Sequence, residues 1–131
     1  MQTGSEPIRI LLVDDDESMA ESMLLVFDLW GYSAVIEMDT RAALQHLQNE
    51  KFDGLITDIS MPGIGGIELA DRGRKLQPDM FVIFMTGNAK AIPEKSKSAA
   101  AAVLTKPFEL EDLKLLIEMA VARSRQEDQL N

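Results

Sequence analysis

Three consecutive aspartates (Asp14, Asp15 and Asp16), a fourth at Asp58, a hydroxyl at Thr86 and an ammonium at Lys106 each follow a short apolar run. The runs are Ile8 to Val13, Leu55 to Thr57, Met80 to Met85, and Ala102 to Thr105. If they are strands ending side by side, acids, hydroxyl and ammonium converge on one edge, a set suited to phosphate or metal chemistry. Crowded carboxylates raise one another's pKa unless a cation intervenes. A divalent ion is the natural further partner, and Mg²⁺ fits best because it is hard and accepts one or two carboxylates plus water. Softer chemistry is excluded: the chain has no cysteine and one histidine, His46, so thiolate zinc sites, cysteine nucleophiles and multi-histidine metal sites are ruled out.

Positioning such groups needs strands that end together, and the pattern supplies them. Met19, Met23, Phe27 and Trp30 recur at helical spacing and stop at Gly31. Ser33 to Ile36 reads as a weaker strand. Thr40 is placed to cap a helix carrying Ala43, Leu44 and Leu47 as far as about Glu50. The MPGIGG segment after Ser60 breaks the pattern, and Ile67 to Leu76 is a helix ended by Pro78. Residues 88–98 are the least decided because Pro93 falls inside a possible helix, and 88–100 is expected to be the most mobile element. Leu110, Leu113, Ile117, Ala120 and Val121 mark a last amphipathic helix. Five strands alternating with five helices predict a doubly wound five-stranded parallel sheet, a (βα)5 arrangement with helices on both faces. Its ligand site lies at the carboxyl ends of the strands. Residues 1–6 read as a disordered tail, 7–122 as the domain, and 123–131 as a polar tail or the start of a linker.

The 131 residues fit one domain, with 46% hydrophobic and 27% charged residues. Net charge is −9, and residues 1–40 carry nine acids against Arg9 alone, so the other 91 residues sum to −1. That field repels nucleic-acid phosphates and anionic lipid, and attracts cations and basic partners. No apolar stretch approaches the ~20 residues that cross a bilayer, and the first residues lack the pattern of a secretory signal. A cytoplasmic protein without direct nucleic-acid or membrane contact is expected.

With VDDD at Val13 to Asp16, TDISMPGIGG at Thr57 to Gly66, MTG at Met85 to Gly87 and TKPF at Thr105 to Phe108, the sequence resembles the receiver domain of bacterial two-component response regulators, over roughly residues 7–122. Each motif is short, but all four occur in order at predicted strand ends. The resemblance implies a flavodoxin-like fold and a phosphoacceptor at Asp58, taking a phosphoryl group from a sensor histidine kinase or phosphotransfer protein. It implies Mg²⁺ held by Asp15 with Asp14, by Asp58 and by the backbone carbonyl of Ser60. Thr86 would bond a phosphoryl oxygen, Lys106 would pair with the phosphoryl group, and the Lys106–Pro107 bond is often cis in the family. The helix after Asp16 with the loop after Lys106 is the expected kinase-docking surface. The face from Ala91 to Ala122, built on the fourth and fifth helices, is the expected output or dimer surface. No output segment is recognised, so a single-domain regulator or part of a longer one is expected.

Two positions depart from the family pattern. Val103 stands where tyrosine or phenylalanine is common, which puts the aromatic part of the usual switch in doubt. Gly65 replaces a frequent aspartate, giving the MPGIGG loop three glycines and an expectation of extra mobility. Simpler roles suit other residues: Asp16 and Glu17 as helix cap and dipole complement, His46 as a surface residue, Met19 and Met23 as core or docking surface, Trp30 as core closure. The competing functions are a pseudo-receiver that binds a partner unphosphorylated, a haloacid-dehalogenase-like phosphatase, and a flavodoxin-like cofactor binder. The acid order argues against the phosphatase, and the absence of a hydroxyl- and glycine-rich phosphate loop after the first strand argues against the cofactor binder.

Overall fold

Alternate residues of the first strand, β1 (Arg9–Val13), explain the layering: Leu11 and Val13 enter one apolar cluster, Ile10 and Leu12 a second, and all four are fully buried. The computed structural model describes residues 6–130, with side chains described through residue 125. One cluster is closed by Ala43 and Leu47 of α2 (Thr40–Asn49) and by Leu69 and Ala70 of α3 (Gly65–Leu76). The other is closed by Met23 and Phe27 of α1 (Glu17–Leu29) and by Leu113 and Ile117 of α5 (Leu110–Leu130). A sheet apolar on both faces needs a helical layer on each side, which gives the predicted architecture.

The remaining elements are β2 (Ser33–Glu37), β3 (Gly54–Asp58), β4 (Phe81–Thr86), α4 (Glu94–Ala99) and β5 (Ala102–Thr105). All strand pairs are parallel, in the order β2-β1-β3-β4-β5. Strand order reverses between β1 and β3, where such sheets bind ligands. The register sets Val13 beside Thr57, Asp58 beside Met85 and Thr86 beside Thr105.

Several local expectations change. Asp16 caps α1 as anticipated, its side chain accepting from the Met19 amide. At α2, however, the cap is Asp39, which accepts from the Arg41 amide, while Thr40 is the first helical residue and is buried. Neighbouring Asp and Thr are both good caps, with Asp ranking slightly ahead, and the carboxylate takes the position outside the helix. The helix α3 begins at Gly65, two residues before the predicted Ile67. The undecided segment resolves into a 3₁₀ turn (Ala89–Ala91) and the six-residue α4, with Pro93 just outside its first turn, where a missing N–H is harmless.

The helix α5 continues to Leu130, through the segment read as a polar tail. Arg123 to Leu130 contains no glycine or proline and several good helix formers, so nothing local stops it. The expected N-terminal tail falls, except for exposed Glu6, outside the described residues. Trp30 does close the core edge: its ring lies 5.7 Å from Phe27 and 6.4 Å from Tyr32.

No residue of α4 is buried. Few buried apolar contacts mean a low local opening free energy. Amides of α4 should therefore exchange with solvent roughly tenfold or more faster than those of α3 or α5. Native-state hydrogen exchange checks this, and protection in α4 equal to that of α3 would refute it.

Candidate functional site

Strand ends place the chemistry. Asp14 follows β1, Asp58 and Thr86 are the last residues of β3 and β4, and Lys106 follows β5. The Asp14 amide donates to the Glu37 carbonyl (3.1 Å), and the Lys106 amide donates to the Thr86 carbonyl (2.8 Å). Both residues thereby extend the sheet by one register position before the chain turns away.

Asp14, Asp15 and Asp58 each offer a carboxylate oxygen, and these three atoms all lie within 4.8 Å of one another. Asp14 is fully buried, Asp58 half-buried and Asp15 exposed, so the cluster opens to solvent on one side. Lys106 Nζ donates to Asp14 Oδ2 at 2.8 Å and to Asp58 Oδ2 at 2.7 Å. The free carboxylate oxygens accept from main chain: Asp14 Oδ1 from the Asp16 amide (2.9 Å) and Asp58 Oδ1 from the Ser60 amide (3.0 Å). Burial acts against the Lys106 ammonium, but its hydrogen bonds to Asp14 and Asp58 prevail and raise its pKa above that of an ordinary lysine. Lys106 is therefore a permanent cation at neutral pH. The Lys106–Pro107 bond is cis.

Thr86 is buried, and its Oγ1 accepts from the Asn88 amide at 2.9 Å, which leaves its own proton free to donate. Val103 sits opposite Phe84 on the neighbouring strand and packs, half-buried, against the cluster containing Phe84 and Ile92.

Two further residues around Asp58 take roles that the sequence does not show. Fully buried Thr57 donates its hydroxyl to the Asp58 carbonyl at 2.9 Å. Gly66 lies so near the end of β3 that a Cβ there would be 2.0 Å from the Asp58 carbonyl oxygen. Gly63 and Gly65 have φ of +85° and +71°, which a residue with a Cβ rarely adopts. Each glycine of MPGIGG thus has a geometric reason to be glycine, and the pattern of breakers was the signal for it.

His46 is more than a surface residue. Its Nε2 lies 2.7 Å from Glu37 Oε2 and its Nδ1 2.6 Å from Glu50 Oε2, while Glu50 Oε1 accepts from Arg9 at 2.9 Å. A ring that donates from both nitrogens is an imidazolium. Hydrogen bonds first to Glu50 and then to Glu37 raise its pKa, outweighing burial. With a folded pKa above the ordinary value of about 6.5, the pairing contributes fully below that value and is lost as pH rises through the raised pKa. Conversely, the Glu50 pKa is lowered, first by His46 and then by Arg9, so its contribution falls away as pH drops through that lowered value. The lone histidine gives one imidazole signal by NMR, which should titrate above pH 6.5 and fall toward, though not to, the ordinary value in Glu50→Gln, where Glu37 still pairs with the ring. Titration at the ordinary value in the unmodified chain would contradict the pairing.

The response regulator receiver domain pattern matches residues 10–118. The chain belongs to the response regulator receiver domain family. It is similar to the response regulator receiver protein CpdR of Brucella abortus, 39% identical over 107 residues, covering 80% of this chain and 89% of that protein. It is also similar to the transcriptional regulatory protein FixJ of Bradyrhizobium diazoefficiens, 33% identical over 118 residues and covering 88% of this chain. There the match spans only 57% of the relative's length. A response regulator receiver domain protein from Methanospirillum hungatei superposes with a TM-score of 0.85 at 29% identity, covering 93% of this chain and 99% of that one. TrrA of Thermotoga maritima, solved in complex with Mg²⁺-BeF, gives a TM-score of 0.78 at 30% identity, covering 86% and 98%. These findings bear out the predicted family and fold, and favour neither the phosphatase nor the cofactor binder.

Proposed function

We propose that this receiver domain accepts a phosphoryl group on Asp58 from a sensor histidine kinase or phosphotransfer protein and thereby switches its binding to a partner. The observation that carries the reading is Lys106 Nζ bridging Asp14 and Asp58 at 2.8 and 2.7 Å, with Asp15 completing a cluster of three carboxylates. One ammonium among three acids leaves an all-oxygen donor set with excess negative charge, which suits a hard divalent ion. Asp14, Asp15 and Asp58, with the Ser60 carbonyl, would hold Mg²⁺. When bound, the ion supplies positive charge to the phosphoryl oxygens and draws donor and acceptor together.

The chain's own residues do the rest. An Asp58 carboxylate oxygen attacks phosphorus, the bond from phosphorus to the donor's histidine nitrogen breaks, and that nitrogen keeps the electron pair. The product is an acyl phosphate on Asp58. Charge in this transfer spreads over the equatorial oxygens, so positioned cations and donors supply most of the acceleration. Lys106 leaves Asp58 Oδ2 for a phosphoryl oxygen, and the Thr86 hydroxyl donates to another. The phosphoryl group adds about 1.5 to 2 negative charges at pH 7. With Val103 of β5 beside Phe84, the response passes to the segment from Gly87 to Ile92 without an aromatic ring to relocate.

The proposed kinase-docking surface is α1, whose outward Leu24, Leu25 and Leu29 are exposed, with the loop after Lys106. The face of α4 and α5 is proposed for output or self-association, with Leu115 and Met119 exposed on α5. Among the described residues no helix is long and apolar enough to cross a membrane. A cytoplasmic location and the absence of direct nucleic-acid binding are part of the proposal. Incubation with phosphoramidate and Mg²⁺ tests the chemistry: the product should release phosphate with hydroxylamine, as an acyl phosphate does. A hydroxylamine-stable phosphate would place the modification on a hydroxyl and overturn the reading.

A further inference from the structure

Thr40 is buried, with 3% exposure, yet its hydroxyl is not needed to cap α2, because Asp39 Oδ1 already accepts from the Arg41 amide at 2.7 Å. The hydroxyl instead donates to the carbonyl of Pro62, 22 residues away, at 3.4 Å. Pro62 lies in the loop between β3 and α3, two residues after Ser60.

That loop has few other means of being held. Pro62 has no N–H, and Gly63 and Gly65, both at positive φ, bring no side chain. At its start the Ile59 amide donates to the Met85 carbonyl of β4 at 3.2 Å; its other hydrogen bonds are local, the Ser60 amide to Asp58 Oδ1 and the Gly66 amide to the Ile59 carbonyl. Among the described residues, Thr40 makes the side-chain hydrogen bond that reaches residues 61–66 from another element. Met61, 8% exposed, shares a cluster with Ala43, three residues further along α2. Ile59 and Ile64 pack against the same cluster, so the loop is seated by apolar packing, and the first turn of α2 adds the polar tie beyond Ser60.

We infer that Thr40 is a positioning residue for the metal site, fixing through the Pro62 carbonyl the loop that presents the Ser60 carbonyl. The inference rests on the proposed receiver chemistry. Thr40→Val keeps the shape and removes the donor, so the carbonyl of exposed Pro62 loses its tie to α2. The Mg²⁺ dissociation constant should rise about three- to tenfold, the range expected for one long hydrogen bond. Amides of Gly63 and Ile64 should exchange faster in the metal-free variant.

The test is an Mg²⁺ titration of the full chain followed by amide shifts, with hydrogen exchange and melting on the same samples. Thr40→Ser should bind Mg²⁺ like the unmodified chain. Thr40→Ala should bind like Thr40→Val, and comparing Ser with Ala isolates the hydroxyl should the valine variant fail to fold. Unchanged Mg²⁺ affinity in the Val and Ala variants, whether or not the melting temperature falls, would overturn the inference and leave Thr40 an ordinary helix residue. If the unmodified chain itself binds no Mg²⁺, or binds it equally well as Asp58→Asn, the receiver chemistry is wrong and the inference falls with it.

Discussion

Lys106→Met should slow phosphorylation of the receiver domain by about 10²- to 10³-fold, the usual effect of removing one preorganised donor from a developing anion. The same substitution should also act on stability, in a direction that identifies its cause. Lys106 Nζ donates to both Asp14 Oδ2 and Asp58 Oδ2, whose side chains are 1% and 13% exposed. Without the ammonium, Asp14 becomes a buried carboxylate beside two others, with only the Asp16 amide on its other oxygen. Breaking a fully buried pair costs about 3–5 kcal/mol. The lysine side chain is 28% exposed, so solvent screening reduces this to roughly 2–3 kcal/mol. Added Mg²⁺ should then raise the melting temperature of Lys106→Met more than that of the unmodified chain, because the ion supplies the missing positive charge to the folded state alone. Thermal melts with and without Mg²⁺ measure both effects. An equal Mg²⁺ shift in both proteins would show that lysine and metal do not share the carboxylates.

Gly66→Ala should be the most damaging single-methyl addition in the chain's functional half. The new Cβ would meet the Asp58 carbonyl oxygen at 2.0 Å, its carbon at 2.8 Å and Ile59 Cα at 2.9 Å. All three are backbone atoms at the end of a central strand, so no side chain can rotate away. Either α3 must slide along the sheet or the end of β3 must bend, and Asp58 moves in both cases. Overpacking of this kind costs about 3 kcal/mol or slightly more, which for a domain of this size lowers the melting temperature by roughly 10 °C. Gly87→Ala is the control: it adds a methyl near the same site, at a position with nothing within 4 Å. Its stability should stay within about 0.5 kcal/mol of the unmodified chain. If both variants melted alike, close packing of α3 on β3 would not be what Gly66 provides.

How far the sequence foretells this molecule depends on whether a property is local. Apolar runs such as Met80 to Met85 can be read because a strand buried on both faces must be continuously hydrophobic. Asp14, Asp58, Thr86 and Lys106 can be read with them, because a parallel sheet aligns strand ends and those residues follow the runs directly. Elements without such a signature have borders that the sequence leaves open. Asp39 and Thr40 compete for one cap, and α5 runs on because Arg123 to Leu130 lacks a stop.

Contacts across the fold were not legible at all. Glu37, His46, Glu50 and Arg9 become a network only when β1, β2 and α2 are packed, and Gly66 matters because α3 starts against the end of β3. The glycines of MPGIGG were visible as breakers, but nothing in the string tells positive φ at Gly63 and Gly65 from close approach at Gly66.

The role of Asp58 as the metal-dependent acceptor is tested most directly by intact mass spectrometry. The unmodified chain and Asp58→Asn would be incubated with acetyl phosphate, each with Mg²⁺ and with chelator, and quenched rapidly. One added phosphoryl group is expected on the unmodified chain with Mg²⁺, and none in the other three samples. No adduct in any sample, or an adduct that survives in Asp58→Asn, would contradict this role.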